Sequence, residues 1–357
     1  MYLQTLKLTQ FKNYAQKSFD FDARLNVITG HNGVGKTNLL DGIYVLCMTK
    51  SFFGGVDKNL IQKETDFARM AGIFRLENGM KQMDVVAKVV KQKKKVFEVN
   101  GKAYDRLSAH IGRFPVVMIA PDDTLIATGG SEERRKFADN TLAQKNKAYL
   151  DALLKYNRLL KQRNALLKSK TERLDMRLLE SYNEQLIAPA ESIFDARKAW
   201  TAGLMPLFNE YYRLISGERE DVRMEYKSSL ATERFAMLLD RALEKDRILE
   251  RTTVGIHRDD FVFFMDDMPL KRFASQGQRK SFVIALKLAQ YQYLAQSSAE
   301  LPILLMDDIF DKLDRERVGN LVEILGDAGF GQVFITDTHP TRVSELLEVP
   351  HQVVGLG

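Results

Sequence analysis

The sequence predicts an α/β fold that carries an inserted, mainly helical segment. Strand patterns dominate up to about residue 125 and return from about residue 252, whereas the residues between are highly charged and poor in proline and glycine. In that middle stretch leucines recur every seven residues, at positions 153, 160, 167 and 174. We therefore expect residues 1–130 and 251–357 to form one α/β domain and residues 131–250 to form an inserted helical arm.

The first part of the chain is expected to consist largely of strands. Apolar residues alternate at Leu3, Leu6, Leu8 and Phe11, and further strand patterns cover residues 25–28, 71–76, 83–90, 96–99 and 116–119. Asn100-Gly101 follows one of these patterns and is a dipeptide that tight hairpins prefer. In the arm, the period is interrupted at residues 171–175, and Pro189 is expected to end the next helix. Each arm helix should then be no longer than about 35 residues, or about 50 Å.

Composition limits the classes of protein to which the chain can belong. The chain has 357 residues, 45% of them hydrophobic, and a formal net charge of +6. No apolar stretch reaches the roughly 18 residues that a membrane span requires, and the first residues show a strand pattern instead of a signal peptide. We expect a cytoplasmic protein without a membrane partner. The single cysteine, Cys47, lies on the apolar side of a predicted helix and is expected to fill the core.

Residues 30–37 fit the phosphate-binding pattern of glycine, four residues and then Gly-Lys-Thr at every fixed position. A strand pattern precedes the run and a helical pattern follows it, as this loop requires. The glycines let backbone N–H groups surround phosphates, Lys36 adds a positive charge, and the Thr37 hydroxyl can bind Mg²⁺. The predicted nucleotide-binding residues are Gly30, His31, Asn32, Gly33, Val34, Gly35, Lys36 and Thr37.

A carboxylate pair completes the predicted site. The strand pattern Ile303–Met306 ends in Asp307 and Asp308, and a phosphate loop needs a carboxylate on a neighbouring strand to hold Mg²⁺. We expect Asp307 to bind the ion with Thr37, and Asp308 to orient or deprotonate the attacking water. Lys36, Asp307 and Asp308 are therefore the predicted catalytic residues. ATP with Mg²⁺ is the predicted cofactor, because no GTPase base-recognition motif follows Asn146-Lys147.

Ser275-Gln276-Gly277-Gln278 opens an amphipathic helix shortly before the acidic strand. The Ser275 hydroxyl and the free N–H groups would stand at the positive end of that helix, where a phosphate can bind. Serine and glycine are also ordinary helix starters. The four residues alone leave open whether Ser275 binds a phosphate or only caps the helix.

Two basic clusters are candidates for phosphate contacts along a nucleic acid. Lys91, Lys93, Lys94 and Lys95 lie between strand patterns, and Arg134 and Arg135 open a helical region. For the lysines, an equally plausible interpretation is a hairpin tip that charge keeps soluble.

The chain resembles the RecF family, short-armed relatives of the SMC and Rad50 ATPases, over its full length. Besides the phosphate loop, the resemblance is carried by residues 13–14 (Asn-Tyr), 120–123 (Ala-Pro-Asp-Asp), 133–139 (Glu-Arg-Arg-Lys-Phe-Ala-Asp), 255–260 (Gly-Ile-His-Arg-Asp-Asp), 275–278 and 307–308. It implies an ABC-type P-loop ATPase head of the Rad50/SMC kind with an inserted helical arm. The stretches around residues 133 and 257 distinguish RecF from SMC proteins.

The resemblance also implies a function. Members of the family bind double-stranded and gapped DNA, form an ATP-dependent homodimer, and act with RecR and RecO to load RecA, while slow hydrolysis releases the clamp. It assigns nucleotide contacts to Lys12, Ser275, Gly277, Gln278 and Asp314. The helix that begins at Ser275 would contact ATP on the other subunit, and Asp314 falls where the class carries its D-loop aspartate. Lys12 and Phe53 stand where arginine is common, and no glutamine occurs near Pro121, so Asp122 or Asp123 would replace it.

Two other classes share the phosphate loop. A transporter ATPase subunit would carry its signature much closer to Lys36 than Ser275 lies, and its inserted segment would be less charged. An ATPase nuclease of the OLD type would need an additional acidic metal domain after the Asp307 strand. Both classes remain alternatives on the residues alone.

Overall fold

A computed structural model describes residues 1–76, 79–169, 174–217, 220–296, 298–310, 315–326, 329–338 and 350–356. The chain divides into two compact units. The first consists of Met1–Thr124, Glu210–Arg219 and Ser275–Gly357, and the second of Leu125–Asn209 and Glu220–Ala274.

The first 124 residues form mainly strands. In chain order the elements are β1 (Tyr2–Phe11), β2 (Tyr14–Asp20), β3 (Leu25–Thr29), α1 (Lys36–Met48), β4 (Phe67–Leu76), β5 (Lys81–Val90), β6 (Val96–Val99), β7 (Lys102–Ala103) and β8 (Val116–Ile119). The middle of the chain contains α2 (Thr124–Thr128), α3 (Ser131–Lys145), α4 (Lys147–Leu167), α5 (Met176–Ser216), β9 (Val222–Lys227), α6 (Phe235–Ile248), β10 (Asp260–Met265), β11 (Met268–Pro269) and α7 (Leu270–Phe273). After it come α8 (Gln276–Ala295), β12 (Ile303–Met306), α9 (Arg315–Gly326), β13 (Val333–Asp337) and β14 (Gln352–Gly355).

The first unit contains two sheets. One is antiparallel with strand order β2-β1-β4-β5-β6-β7, and the other is parallel with order β14-β3-β13-β12-β8. All residues of β3, β8, β12 and β13 are buried, as is usual for strands of a covered parallel sheet. Because these strands are parallel, the segments that follow β3 and β12 leave the sheet at the same edge.

Helix α1 lies between the two sheets. It contacts β1, β4 and β5 of the antiparallel sheet and β8 and β13 of the parallel sheet. Every residue of α1 from Leu39 to Met48 is buried, as expected of a helix in a core. Cys47 is part of this core, which confirms the role expected from the sequence, and burial raises the pKa of its thiol. The start of α1 is thereby fixed relative to both sheets.

The second unit differs from the sequence expectation in its boundaries and in one helix. Residues 251–274 belong to it because β10 pairs with β9 in the three-stranded sheet β11-β10-β9. The expected stop at Pro189 is wrong, since α5 runs for 41 residues through both Pro189 and Pro206. A helix of that length spans about 60 Å. Each proline removes one backbone donor, and the helix keeps an apolar row that includes Leu186, Ile193 and Trp200, all fully buried.

Candidate nucleotide-binding site

The loop between β3 and α1 has the backbone that phosphate binding needs. Gly33 and Gly35 have φ values of 82° and 114°, in the left-handed region that glycine adopts without strain. Gly35 is the residue before the first turn of α1, so the free N–H groups of the helix start there. Lys36 donates from Nζ to the carbonyl oxygens of Gly30 at 2.6 Å and His31 at 3.1 Å. Its ammonium group therefore lies over the loop.

The structure brings Thr37 and Asp307 together. Thr37 Oγ1 donates to the Asp307 carboxylate, at 2.8 Å from Oδ2 and 3.0 Å from Oδ1. Asp307 is only 4% exposed, and burial raises the pKa of its carboxyl group. A hydroxyl and a carboxylate in contact at the mouth of a phosphate loop form an oxygen pair of the kind that Mg²⁺ prefers.

Asp308 follows with a backbone φ of 48°, a conformation that aspartate tolerates better than most residues. Its N–H donates to Thr336 Oγ1 at 2.9 Å, and the same Thr336 hydroxyl donates to Asp307 Oδ1 at 2.8 Å. Thr336 was not among the site residues predicted from the sequence. Its signal in the sequence is a hydroxyl directly after the apolar run Val333–Ile335, on the strand that lies between β3 and β12.

Five of the eight predicted loop residues line the cavity between the phosphate loop and the carboxylate pair. The cavity measures about 160 Å³, and its lining residues are Asn32, Gly33, Gly35, Lys36, Thr37, Asn38, Asp307 and Asp308. Gly30, His31 and Val34 are not in its lining. Gly30 and His31 contribute the carbonyl groups that hold Lys36, while Asn38 is a lining residue that the sequence did not predict.

Lys12 does not line this cavity. Its Nζ forms an ion pair with the fully buried Asp41 at 2.6 Å, and lies 5.5 Å from the ring centre of Phe53. Asp41 also accepts hydrogen bonds from Ser51 Oγ and the Phe52 N–H, both at 2.8 Å. Lys12 therefore helps to hold the chain that follows α1 in this structure.

Ser275, Gly277 and Gln278 do not line the cavity either. Ser275 Oγ accepts from the Gln278 N–H at 3.2 Å, and Gln278 Oε1 accepts from the Ser275 N–H at 2.7 Å. This reciprocal pair is a capping box that starts the 20-residue helix α8. Asp314, the remaining predicted nucleotide contact, lies outside the described residues.

Asp123 has a structural partner. Its carboxylate accepts from Lys287 Nζ at 2.7 Å and from the Ala120 N–H at 2.8 Å, and both charged side chains are less than a tenth exposed. Lys287 also donates to the Met118 carbonyl at 2.8 Å. The pair ties α8 to the end of β8, and Asp122 is the exposed member of the two candidates for the missing glutamine.

The lysine cluster forms the tip of the β5–β6 hairpin. Lys91 pairs with Asp66 at 3.1 Å and Lys95 with Asp57 at 2.8 Å. Lys93 and Lys94 are exposed, and the described part of the chain shows no hydrogen bond or ion pair for either side chain. The tip therefore presents two uncompensated positive charges to solvent.

Arg134 and Arg135 make contacts inside the second unit instead. Arg134 donates two hydrogen bonds to Asp260, at 2.7 and 3.0 Å, and Arg135 donates to the Asp259 carbonyl at 2.6 Å. Nearby, the buried Arg197 bridges Asp139 at 2.8 Å and Asp259 at 3.0 Å. Residues 133–139 and 255–260 thus join α3, α5 and β10, and the predicted DNA contacts of Arg134 and Arg135 find no support in this geometry.

Two features are absent from the described residues. No described helix is long and apolar enough to cross a membrane. In the same part of the chain, no group of three or more His, Cys, Asp or Glu side chains could hold a metal ion. A divalent cation beside Thr37 and Asp307 would need further oxygen ligands from a bound molecule.

Fold and site define an α/β ABC-type ATPase head, and the comparisons agree. Residues 2–355 match the RecF/RecN/SMC N terminal domain. The chain also resembles the Smc head domain of Pyrococcus furiosus in fold, with a TM-score of 0.58 at 16% identity over 99% of this chain and 93% of that one.

The particular family is RecF. The DNA replication and repair protein RecF of Flavobacterium johnsoniae is 43% identical over 354 residues, which cover 99% of this chain and 98% of the relative. RecF of Bacteroides fragilis is 38% identical, covering 97% and 93%. The solved structure of the recombination mediator protein RecF-ATPrS in the RecFOR pathway has a TM-score of 0.89 at 28% identity, covering 99% and 97%. The chain belongs to the RecF family, which is neither of the two alternative classes.

Substitution of Thr336 tests whether its hydroxyl holds Asp307 and Asp308 in place. Thr336→Val keeps the side-chain shape but leaves the Asp308 N–H and Asp307 Oδ1 without this partner. We expect the free energy of unfolding, measured by urea denaturation, to fall by about 1–3 kcal/mol. Thr336→Ser keeps the hydroxyl and should restore most of the loss. Equal stability of the valine variant and the unmutated protein would show that the hydroxyl holds neither group.

Proposed function

We propose that this protein binds ATP with Mg²⁺ and uses ATP-driven dimerisation to close on double-stranded DNA. The observation that carries the proposal is the contact of Thr37 with Asp307 at the edge of a complete phosphate loop. The relatives are named DNA replication and repair proteins, and solved RecF structures are described with ATP and ATPrS. The fold alone is not sufficient evidence for ATP binding, whereas the geometry of the phosphate loop supports it.

Each residue of the site has a separate role in the proposal. Loop N–H groups bind the phosphates, and Lys36 exchanges the Gly30 and His31 carbonyls for phosphate oxygens. Thr37 and Asp307 would hold Mg²⁺, which would neutralise negative charge on the phosphates. Asp308 orients or deprotonates the attacking water. Hydrolysis is then a slow switch that reopens the dimer.

The second half of the site would come from another copy of the chain. Ser275, Gly277 and Gln278 lie at the N-terminus of α8 and do not line their own chain's cavity. A helix N-terminus favours negative charge, so this end suits the γ-phosphate bound by a partner copy. The capping box would keep its N–H groups ordered until closure.

DNA binding is assigned to the tip of the β5–β6 hairpin. Lys93 and Lys94 are the uncompensated charges there, and Lys91 forms an exposed ion pair with Asp66 that a phosphate could replace at little cost. Lys95 is less exposed and pairs with Asp57. Lysine contacts to phosphates carry no sequence information. We therefore propose binding that depends on salt and not on sequence, at gapped DNA, with RecR, RecO and RecA in the same pathway.

The dimer model separates two mutations of one shared site. Asp308→Asn should bind ATP and accumulate as a closed dimer, because the water is no longer activated after closure. Ser275→Arg should bind ATP yet stay monomeric, because a bulky cation blocks the partner's γ-phosphate. Sedimentation with ATP distinguishes them, with Ser18→Arg on the exposed side of β2 as the matched control. Dimerisation of Ser275→Arg at the unmutated level would contradict the shared site.

The hairpin assignment predicts a change in salt dependence. Reversing both charges, Lys93→Glu with Lys94→Glu, should weaken duplex binding about equally on unrelated sequences. The slope of log affinity against log salt should fall by about 2. The same charge change on the exposed face of α4, Lys155→Glu with Lys161→Glu, is the control. An unchanged affinity and slope in the hairpin variant would mean that its lysines are only solvated.

A further inference from the structure

The turn between β1 and β2 touches the back of the phosphate loop. Asn13 Nδ2 donates to the Val34 carbonyl at 3.0 Å, and Tyr14 Oη donates to the Gly35 carbonyl at 3.0 Å. Asn13 Oδ1 accepts from Asn38 Nδ2 at 2.8 Å. Both side chains therefore use their polar atoms on the loop or on the first turn of α1.

The fit at this contact is close. A Cβ atom on Gly35 would lie 2.4 Å from Asn13 Nδ2 and 2.9 Å from Tyr14 Oη, so these two side chains occupy the space beside the glycine. Tyr14 is 6% exposed and packs edge-on against Phe19 with ring centres 5.8 Å apart. Burial raises the pKa of Tyr14 to about 12, so its hydroxyl keeps its proton and stays a donor at neutral pH.

Peptide planarity gives these two hydrogen bonds a consequence on the other side of the loop. A trans peptide unit directs its C=O and its N–H in opposite directions. Holding the Val34 carbonyl from behind therefore directs the Gly35 N–H forward, and holding the Gly35 carbonyl directs the Lys36 N–H forward. The Leu39 N–H also donates to the Gly35 carbonyl, at 2.9 Å, which supports the same orientation.

We propose that Asn13 and Tyr14 are positioning residues for the nucleotide. They fix two successive peptide units so that the Gly35 and Lys36 N–H groups face the phosphates before a nucleotide arrives. Neither side chain lines the cavity, so they act through the loop and not by touching the phosphates. The inference rests on the proposed function, because it assumes that phosphates bind at this loop.

Two substitutions remove a donor with little change of shape, and a third truncates the Asn13 side chain. Tyr14→Phe removes only the hydroxyl and keeps the packing against Phe19. Asn13→Asp keeps the side-chain shape but turns the donor into an acceptor opposite the Val34 carbonyl, and Asn13→Ala removes both contacts. Tyr2→Phe, at the other end of β1, is the matched control.

Calorimetric titration with ATP and with inorganic tripolyphosphate tests the proposal, because the second ligand has only phosphates. Each variant should lose about five- to tenfold in affinity for both ligands, and Asn13→Asp should lose the most, while Tyr2→Phe should bind as the unmutated protein does. Titration well below each variant's melting temperature separates this effect from loss of folding. If the unmutated protein binds ATP and all three variants bind equally well, the positioning role is wrong and the proposed function stands. If the unmutated protein binds neither ligand, the proposed function itself fails.

Discussion

The contact of the Thr37 hydroxyl with the Asp307 carboxylate joins two segments that are 270 residues apart in the chain. It exists because β3, β13 and β12 are neighbours in one parallel sheet, so that the loop after β3 and the acid after β12 leave at the same edge. Thr336, on the strand between them, fixes both Asp307 and Asp308. The buried strands and the core helix α1 hold these atoms in place, and every proposed step of nucleotide chemistry depends on that geometry.

The antiparallel sheet places a second set of residues around the same loop. Because β1, β4 and β5 are adjacent and antiparallel, the β1–β2 turn and the lysine tip of β5–β6 lie at one end of the sheet. The chain between α1 and β4 contacts both features. Its Leu60 carbonyl accepts from the Lys12 N–H at 3.0 Å, and its Asp57 pairs with Lys95 at 2.8 Å. The proposed DNA-binding tip and the β1–β2 turn, which contacts the phosphate loop, are thus parts of one packed structure.

The parts predictable from the sequence are those that depend on residues close together in the chain, or on the rule that parallel strands end at the same edge of a sheet. The phosphate loop is one continuous run of residues, so its pattern is visible in the sequence. A strand that ends in two aspartates is expected to place them beside this loop, at the same edge of the sheet. Thr336 and the pairing of Lys12 with Asp41 depend on which strands and turns become neighbours, which no local pattern specifies. The same reason applies to Arg134 and Arg135, whose charges suggested DNA contacts but whose partners are Asp260 and the Asp259 carbonyl. The predicted helix end at Pro189 is wrong because tertiary packing of α5 outweighs one lost backbone hydrogen bond.

We propose that the loop at residues 30–37 is the ATP site that controls the protein. Calorimetry of ATP binding in the presence of Mg²⁺, comparing the unmutated protein with a folded Lys36→Ala variant, tests it most directly. We expect saturable binding of one ATP per chain in the unmutated protein and no measurable binding in the variant, because the phosphates lose their principal side-chain charge. Equal affinity of the two proteins for ATP would contradict the assignment.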